Sequence, residues 1–355
     1  MIKTYTYKLK PNKSVERKFY QWLGVCRVVY NLSKEVSQTS YQRGVSMSSY
    51  DIQSQLPDLK KAVPWINNVH SQTLQAVVGR YSDSMKKFFK GAGFPKWASK
   101  KSWKSVPFKS IKTTHNAFKL PKFGAVKVFN FKQPKGNLKT ATLIREADGI
   151  YLKVVVDEFQ SRTFCENQTV VGIDMGIKYF MISSEGNFTE NPRHLQSKLK
   201  ELRIQNRKLS RMKKGGKNFV KQVIVLQRLH QKVKRTRLDF LQKESTKLAA
   251  EYSTVIREDL KVKNRIKNPK LARTIADVSW GTFFELLEYK TNIIKVNPAY
   301  TSQRCNSCAD VNKESRKTQS IFECVSCGHV DNADLNAANN ILEKGQFLME
   351  AKVAC

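Results

Sequence analysis

Apolar positions along this chain change their period several times, and each change predicts a different kind of element. Residues 2–9 alternate in the two-residue period of a strand, and Pro11, Asn12 and Ser14 then supply a stop and a helix cap. From Val15 to about Lys90 apolar residues recur three and four apart, first Phe19, Leu23, Cys26 and Val29, later Leu74, Val77, Val78 and Tyr81, which predicts a small helical bundle. The period breaks at residues 91–95. From Trp97 to Phe131 Lys, Ser and aromatic residues follow in short alternating runs, and residues 119–124, 126–128, 140–146 and 151–156 read as strands of a small antiparallel barrel. With residues 2–9 joining that barrel, the bundle becomes an insertion in it.

A third region opens with the buried-strand run Thr169-Val-Val-Gly-Ile-Asp174, followed by a hairpin over Phe180-Met-Ile-Ser183 and a turn at residues 185–187. Two helices around Gly215-Gly216 come next, then a further helix and a second acid-ended strand, residues 254–260. Residues 271–294 read as one long helix packed through Trp280, Phe283, Phe284, Leu287 and Tyr289, and residues 336–349 as the last helix.

Charge narrows the partner. The 355 residues carry 64 Lys+Arg against 29 Asp+Glu, a net charge of +35, which calls for a polyanion. The excess is not spread evenly: between Lys198 and Arg237 there are fifteen Lys/Arg and one acid, Glu201, whereas residues 297–355 hold six Lys/Arg and seven acids. A solvated helix face normally mixes signs, so the hairpin, with Lys198, Arg203, Arg207, Lys208, Arg211, Lys213 and Lys214, is expected to bind polyphosphate. No apolar run is long enough to span a membrane and the amino terminus lacks an apolar core of a signal peptide, so no membrane partner and a cytoplasmic chain are expected.

Two motifs carry chemistry. Cys305-x2-Cys308 and, after fifteen residues, Cys324-x2-Cys327 have the spacing of a four-thiolate zinc ribbon, with Gly328 for the tight knuckle; two disulfides are the alternative. Cys26, Cys165 and Cys355 are scattered. Three acids stand where apolar or capping residues would otherwise be expected: Asp174 at the end of an apolar strand, Glu258 ending the second, and Asp334 opening the last helix. Singly, each could pair with a lysine or cap a loop or helix. In the order strand, strand, helix they form what an RNase H-like nuclease requires, a carboxylate set for two Mg²⁺ or Mn²⁺ ions.

The chain resembles the TnpB family, transposon-encoded RNA-guided nucleases related to type V CRISPR effectors. The resemblance rests on Tyr5-Thr-Tyr-Lys-Leu-Lys-Pro11 with Gly24-Val-Cys-Arg-Val-Val-Tyr-Asn31, on Val171-Gly-Ile-Asp-Met-Gly-Ile177 and Ile256-Arg-Glu-Asp-Leu260, on Val296-Asn-Pro-Ala-Tyr-Thr-Ser-Gln303, and on Asp331-Asn-Ala-Asp-Leu-Asn-Ala-Ala-Asn-Asn-Ile341. It implies a multi-domain α/β chain: a wedge-like, oligonucleotide-binding β-barrel at residues 1–10 and 91–165, an inserted helical recognition domain at 11–90, an RNase H-like RuvC nuclease domain at 166–296 and 329–355, and an inserted zinc ribbon at 297–328. It implies a monomer that binds a guide RNA from the transposon end and cuts target double-stranded DNA beside a short motif. Asp334, directly before Leu-Asn-Ala-Ala, is then the third acid and not Asp331. Arg257 departs from the family's usual apolar residue and is expected only to add charge. Tyr50, Ser54, Gln72 and Gln75 are expected to read the adjacent motif, a plain solvated helix face being the alternative. A nuclease-silent repressor and a DNA-joining transposase are the rival functions.

Overall fold

A computed structural model describes residues 2–158, 169–261, 264 and 267–353, a mixed α/β chain. The domain boundary expected at 165/166 lies outside the described residues, as do Cys165 and Cys355. The chain divides into two compact units, residues 1–161 and 162–355. Among the described residues no helix is long and apolar enough to cross a membrane.

In the first unit β1 (Ile2–Lys8), β2 (Ser105–Phe108), β6 (Asn137–Glu146) and β7 (Gly149–Asp157) form one sheet in the order β1-β7-β6-β2, all antiparallel. The short strands β3 (Lys112–Thr114), β4 (Ala117–Leu120) and β5 (Gly124–Lys127) form a second, tied to the first by a bridge between Leu9 and Val128. Helices α1 (Lys13–Gln42), α2 (Ser49–Ser54), α3 (Leu56–Ala62) and α4 (Ser71–Phe89) lie between β1 and β2 in the chain. Asn12 caps α1 by accepting from Val15 N at 2.8 Å, and Ser48 and Asp51 form a capping box on α2. The helices and the sheets share one core, in which Trp22 of α1 stacks on Phe108 of β2 with ring centroids 5.7 Å apart.

In the second unit β8 (Val170–Asp174), β9 (Tyr179–Ser183), β10 (Phe188–Glu190), β11 (Thr254–Glu258) and β12 (Asn292–Val296) form a sheet in the order β10-β9-β8-β11-β12. β8 runs parallel to β11 and β11 to β12, while β9 and β10 are antiparallel. The basic hairpin consists of α5 (His194–Ser210) and α6 (Lys217–Glu251), and α6 absorbs the further helix expected after it, with no break. The long helix expected over residues 271–294 is instead α7 (Pro269–Val278) and α8 (Trp280–Glu288), broken where Ser279 takes a left-handed φ of 58°, and then β12. The tail of that run, Asn-Ile-Ile-Lys-Val296, is β-branched and pairs with β11, so sheet pairing overrides the helical reading. Strands β13 (Ile321–Glu323) and β14 (Val330–Asn332) pair antiparallel, and α9 (Ala333–Val353) closes the chain.

Two glycines let α9 lie directly on the sheet. A Cβ on Gly172 of β8 would stand 2.4 Å from the carbonyl oxygen of Ala338 and 2.7 Å from the amide of Leu342, and one on Gly345 of α9 would stand 2.3 Å from the side chain of Ile256 in β11. Side chains that small at the crossing bring backbone against backbone.

Candidate active site and metal centre

Asp174 is the last residue of β8, Glu258 the last of β11, and Asp334 the second residue of α9. The parallel register sets Arg257 beside Ile173, so Glu258 and Asp174 leave the sheet at the same edge. Asn332 starts α9 there, its side-chain oxygen accepting from the amides of Asp334 at 3.0 Å and Leu335 at 3.3 Å. The three acids act on one another: burial, then the charges of Glu258 and Asp334, push the Asp174 carboxyl up to about 7. Asp331, by contrast, is paired in β14, accepts from the neighbouring amide of Asn332 and faces His329 at 3.9 Å.

Residues from the segment between β12 and β14 hold two of these carboxylates. The buried Thr301 hydroxyl donates to Glu258 Oε1, and the guanidinium of Arg316 donates to Asp334 Oδ1 at 3.0 Å. Sequence reasoning found neither. Thr301 lies inside the quoted family motif, but nothing in its residue type marks it as a carboxylate partner, and Arg316 is one of several cations in a short loop.

Arg257 does more than add charge. It is buried, its guanidinium carbon sits 3.8 Å from the Phe284 ring centroid, Nη1 donates to the carbonyl of Glu258 at 2.8 Å, and Glu288 lies 3.8 Å away. The stack on an aromatic face is what makes a buried guanidinium tolerable at a position suited to an apolar side chain.

The four thiols of Cys305, Cys308, Cys324 and Cys327 lie within 4.8 Å of one another, a cluster that the three acids, as they stand without a cation between them, do not form. Sulfurs 2.3 Å from a tetrahedral zinc stand about 3.8 Å apart; Cys305 and Cys327 are separated by 3.8 Å and Cys308 and Cys324 by 3.6 Å. Disulfide sulfurs would be about 2 Å apart, so the disulfide alternative fails and the thiols are placed to hold a zinc ion. The two knuckles repeat each other. Cys305 and Cys324 amides donate to Asp310 and His329 carbonyls at 2.8 Å, Ala309 and Gly328 amides donate back to Cys305 and Cys324 carbonyls at 3.0 Å, and both Ala309 and Gly328 adopt positive φ. Backbone donors from Cys327 and Ser326 pull the Cys324 thiol down to about 6, whereas hydrogen bonds with the other thiols push Cys308 up to about 12.

Asn336 and Asn340, one turn apart on α9 and fully buried, fasten the ribbon to that helix. Asn336 accepts from the amide of Asn306 at 2.9 Å and donates to the Arg304 carbonyl at 2.8 Å; Asn340 donates to the carbonyls of Thr301 at 3.0 Å and Arg304 at 2.6 Å.

Of the expected nucleic-acid residues, Tyr50 and Ser54 are exposed on α2, Gln72 is exposed on α4, and Gln75 on the same helix is half-buried. On the hairpin Arg203, Arg207 and Lys208 are exposed along α5 and Arg211, Lys213 and Lys214 in the loop after it, while Lys198 is half-buried and pairs with Glu201 at 3.3 Å.

Three family models match this chain: a "Probable transposase" model, OrfB_IS605, over residues 153–268, a "Cas12f1-like, TNB domain" over 280–341, and a "Helix-turn-helix domain" of the OrfB_IS605 kind over 1–45. A protein of Escherichia coli (strain K12), named "Putative RNA-guided DNA endonuclease InsQ", is 29% identical over 98% of this chain and 93% of its own length. "TnpB-like protein MJ1635" of Methanocaldococcus jannaschii is 32% identical over 40% of this chain and 34% of its own. A solved structure, "Cryo-EM structure of CasPhi-2 (Cas12j) bound to crRNA", aligns over 97% of this chain and 98% of that one at 11% identity with a TM-score of 0.49. The three models together match more than half of the residues, and the chain is similar to the Escherichia coli relative almost from end to end.

Proposed function

We propose that this chain is an RNA-guided DNA endonuclease that binds a guide RNA from a transposon end as a monomer and cleaves double-stranded DNA beside a short motif. The observation that carries the reading is that Asp174 and Glu258 end neighbouring parallel strands and Asp334 opens the last helix, while burial first, and then the charges of Glu258 and Asp334, raise the Asp174 carboxyl to about 7. Three carboxylates against one guanidinium leave a local negative charge, which fits divalent cations with oxygen ligands, Mg²⁺ or Mn²⁺. The sheet order, three antiparallel strands followed by two parallel ones, supports an RNase H-like, RuvC-type assignment for the second unit. The antiparallel sheets of the first unit support a wedge-like barrel, with the helices over residues 11–90 as recognition domain.

Asp174, Glu258 and Asp334 would hold the cations. When bound, a pair of such ions lowers the pKa of an attacking water and stabilises the leaving oxygen of a phosphodiester. Within the chain, Thr301 orients the Glu258 carboxylate, Arg316 orients that of Asp334, and Arg257 fixes the main chain at Glu258. Sequence choice falls mostly to base pairing with the guide, and the protein holds the heteroduplex by its backbone.

The test is a set of alanine variants assayed with guide RNA and matching DNA. Asp174→Ala, Glu258→Ala and Asp334→Ala should each abolish cleavage while RNA and DNA binding persist, and Asp331→Ala should still cut. Cleavage that survives loss of Asp334 but not of Asp331 refutes the assignment of the third acid.

A further inference from the structure

Between Asp83 and Glu146 the sequence holds no acid at all, but fifteen lysines and one arginine. Within that stretch large aromatic side chains stand out of the first unit: Phe89 is 78% exposed, Trp97 52% and Phe94 41%. Exposed aromatic rings in a stretch so rich in cations have no purpose in a packed core, and water is a poor environment for them.

Two of the rings are held in place from behind. Lys34 of α1 is buried, and its ammonium lies 4.3 Å from the Trp97 ring centroid and 5.1 Å from that of Phe94. A buried ammonium is costly unless something negative faces it, and here the ring quadrupoles do so. Phe88 meets Phe94 edge to face at 5.2 Å, and Asn31 clamps the next turn, accepting from Ala98 N at 2.8 Å and donating to Ala98 O at 3.1 Å. Phe94 and Trp97 are therefore held although they sit in a segment without helix or strand, and each stays exposed to solvent. Lys96, Lys100 and Lys101 lie within seven residues of both along the chain, all exposed.

We propose that Phe94 and Trp97, braced by Lys34, form a stacking platform for unpaired nucleotides, whose phosphates are neutralised by Lys96, Lys100 and Lys101. Fixed aromatic faces within a basic surface match the chemistry of a single strand: every base offers a π-face, and the backbone supplies the anions. A duplex hides those faces. The proposal rests on the nucleic-acid reading above but concerns residues of the first unit, whereas the acids belong to the second.

The experiment measures binding of the full chain to fluorescent single-stranded RNA, single-stranded DNA and a blunt duplex across a salt series. Trp97→Ala and Phe94→Ala should each weaken single-strand binding about 5-fold or more without changing the salt slope, because no counterion contact is lost, and should leave the duplex unaffected. Trp97→Phe should restore most of the affinity. A Lys96/Lys100/Lys101→Gln triple variant should do the reverse, flattening the log–log salt slope by about 2. The comparison of RNA with DNA tells which strand the platform prefers. Unchanged single-strand affinity in both alanine variants overturns the proposal, as does an equal loss on the duplex. So does sedimentation showing that Trp97→Ala only abolishes self-association, which would assign the patch to a second copy of the chain. Guided cleavage by the unaltered chain, followed in parallel, separates this failure from that of the nuclease reading: unchanged single-strand binding in the alanine variants beside a chain that cuts overturns the platform alone, whereas an unaltered chain that does not cut overturns the nuclease reading.

Discussion

Replacing Gly172 by alanine should cripple cleavage from a position that touches no substrate. The added Cβ would stand 2.4 Å from Ala338 O, 2.7 Å from Leu342 N and 2.8 Å from Leu342 Cβ. Carbon contacts are comfortable from about 3.5 Å, so α9 must withdraw by about 1 Å, and two of the three obstacles are backbone that no rotamer change can clear. Asp334 rides on that helix one turn from Ala338, and a misplacement of about 1 Å at a positioned group costs about 10²-fold in rate. Gly345→Ala makes a matched case with a different remedy. Its Cβ would meet three atoms of Ile256, at 2.3, 2.3 and 2.7 Å, all side chain. Ile256→Ala removes all three, so it should rescue Gly345→Ala and leave Gly172→Ala unrescued, with a favourable coupling of about 1 kcal/mol or more in the double-mutant cycle. Single-turnover cleavage of a guide-matched duplex reads the effect, with zinc content and guide-RNA binding checked to show that the fold persists. Wild-type cleavage by Gly172→Ala would falsify the close helix–strand crossing as the device that places Asp334.

Three further outcomes follow from the site. Elemental analysis of protein purified without chelator should give one zinc per chain, and Cys308→Ser should lower both zinc content and cleavage, because the knuckle at Cys305–Cys308 is fastened to α9 through Asn306 and Asn336. Lowering pH through about 7 at subsaturating Mg²⁺ should lower cleavage by up to roughly tenfold per unit, since the Asp174 carboxyl, raised to about 7, must lose its proton to hold a cation, and more Mg²⁺ should move the midpoint down. In Mg²⁺-free protein the same raised carboxyl binds its proton more tightly folded than unfolded, so its contribution to stability is lost as pH rises toward 7. Gln72→Ala and Gln75→Ala should change which flanking motifs are cut in a randomised-flank screen, by about 1–3 kcal/mol on the preferred motif, whereas charge reversal on the α5–α6 hairpin should weaken all sequences alike.

The acids and cysteines stand out in the sequence because their chemistry is local. A carboxylate ending an apolar strand is out of place in its own neighbourhood, and two Cys-x2-Cys pairs declare a shared ligand by spacing alone. The strand at residues 292–296 was hidden, because Ile293, Ile294 and Val296 continue a helical period until pairing with β11 is known. Arg257 was misjudged for the same reason: its partner, the Phe284 face, comes from a helix 27 residues further along. Thr301 and Arg316 touch carboxylates 43 and 18 residues away, and no local pattern encodes that. The asparagines of α9 did leave a trace. Asn336, Asn339 and Asn340 are poor helix formers in a helix that, Gly345 apart, is built mostly of better ones, which signals side chains engaged elsewhere.

Those long-range contacts explain why a zinc ribbon stands between the second acid and the third. The segment from residue 297 to 328 leaves the sheet beside Glu258 and returns to it at the start of α9. On the way it offers Thr301 to Glu258 and Arg316 to Asp334, and it is tied to α9 through Asn336 and Asn340. A loop of that length has too small a core to hold two carboxylate partners in place: its buried cluster is Cys305, Phe322, Cys324 and Ala333 alone. Bonds to a zinc ion would replace the missing hydrophobic burial and would make the loop a rigid splint between two acids carried on separate elements. Loss of zinc therefore frees Thr301 and Arg316 together while β8 and β11 stay paired, so the acids would keep their strands and lose their orientation.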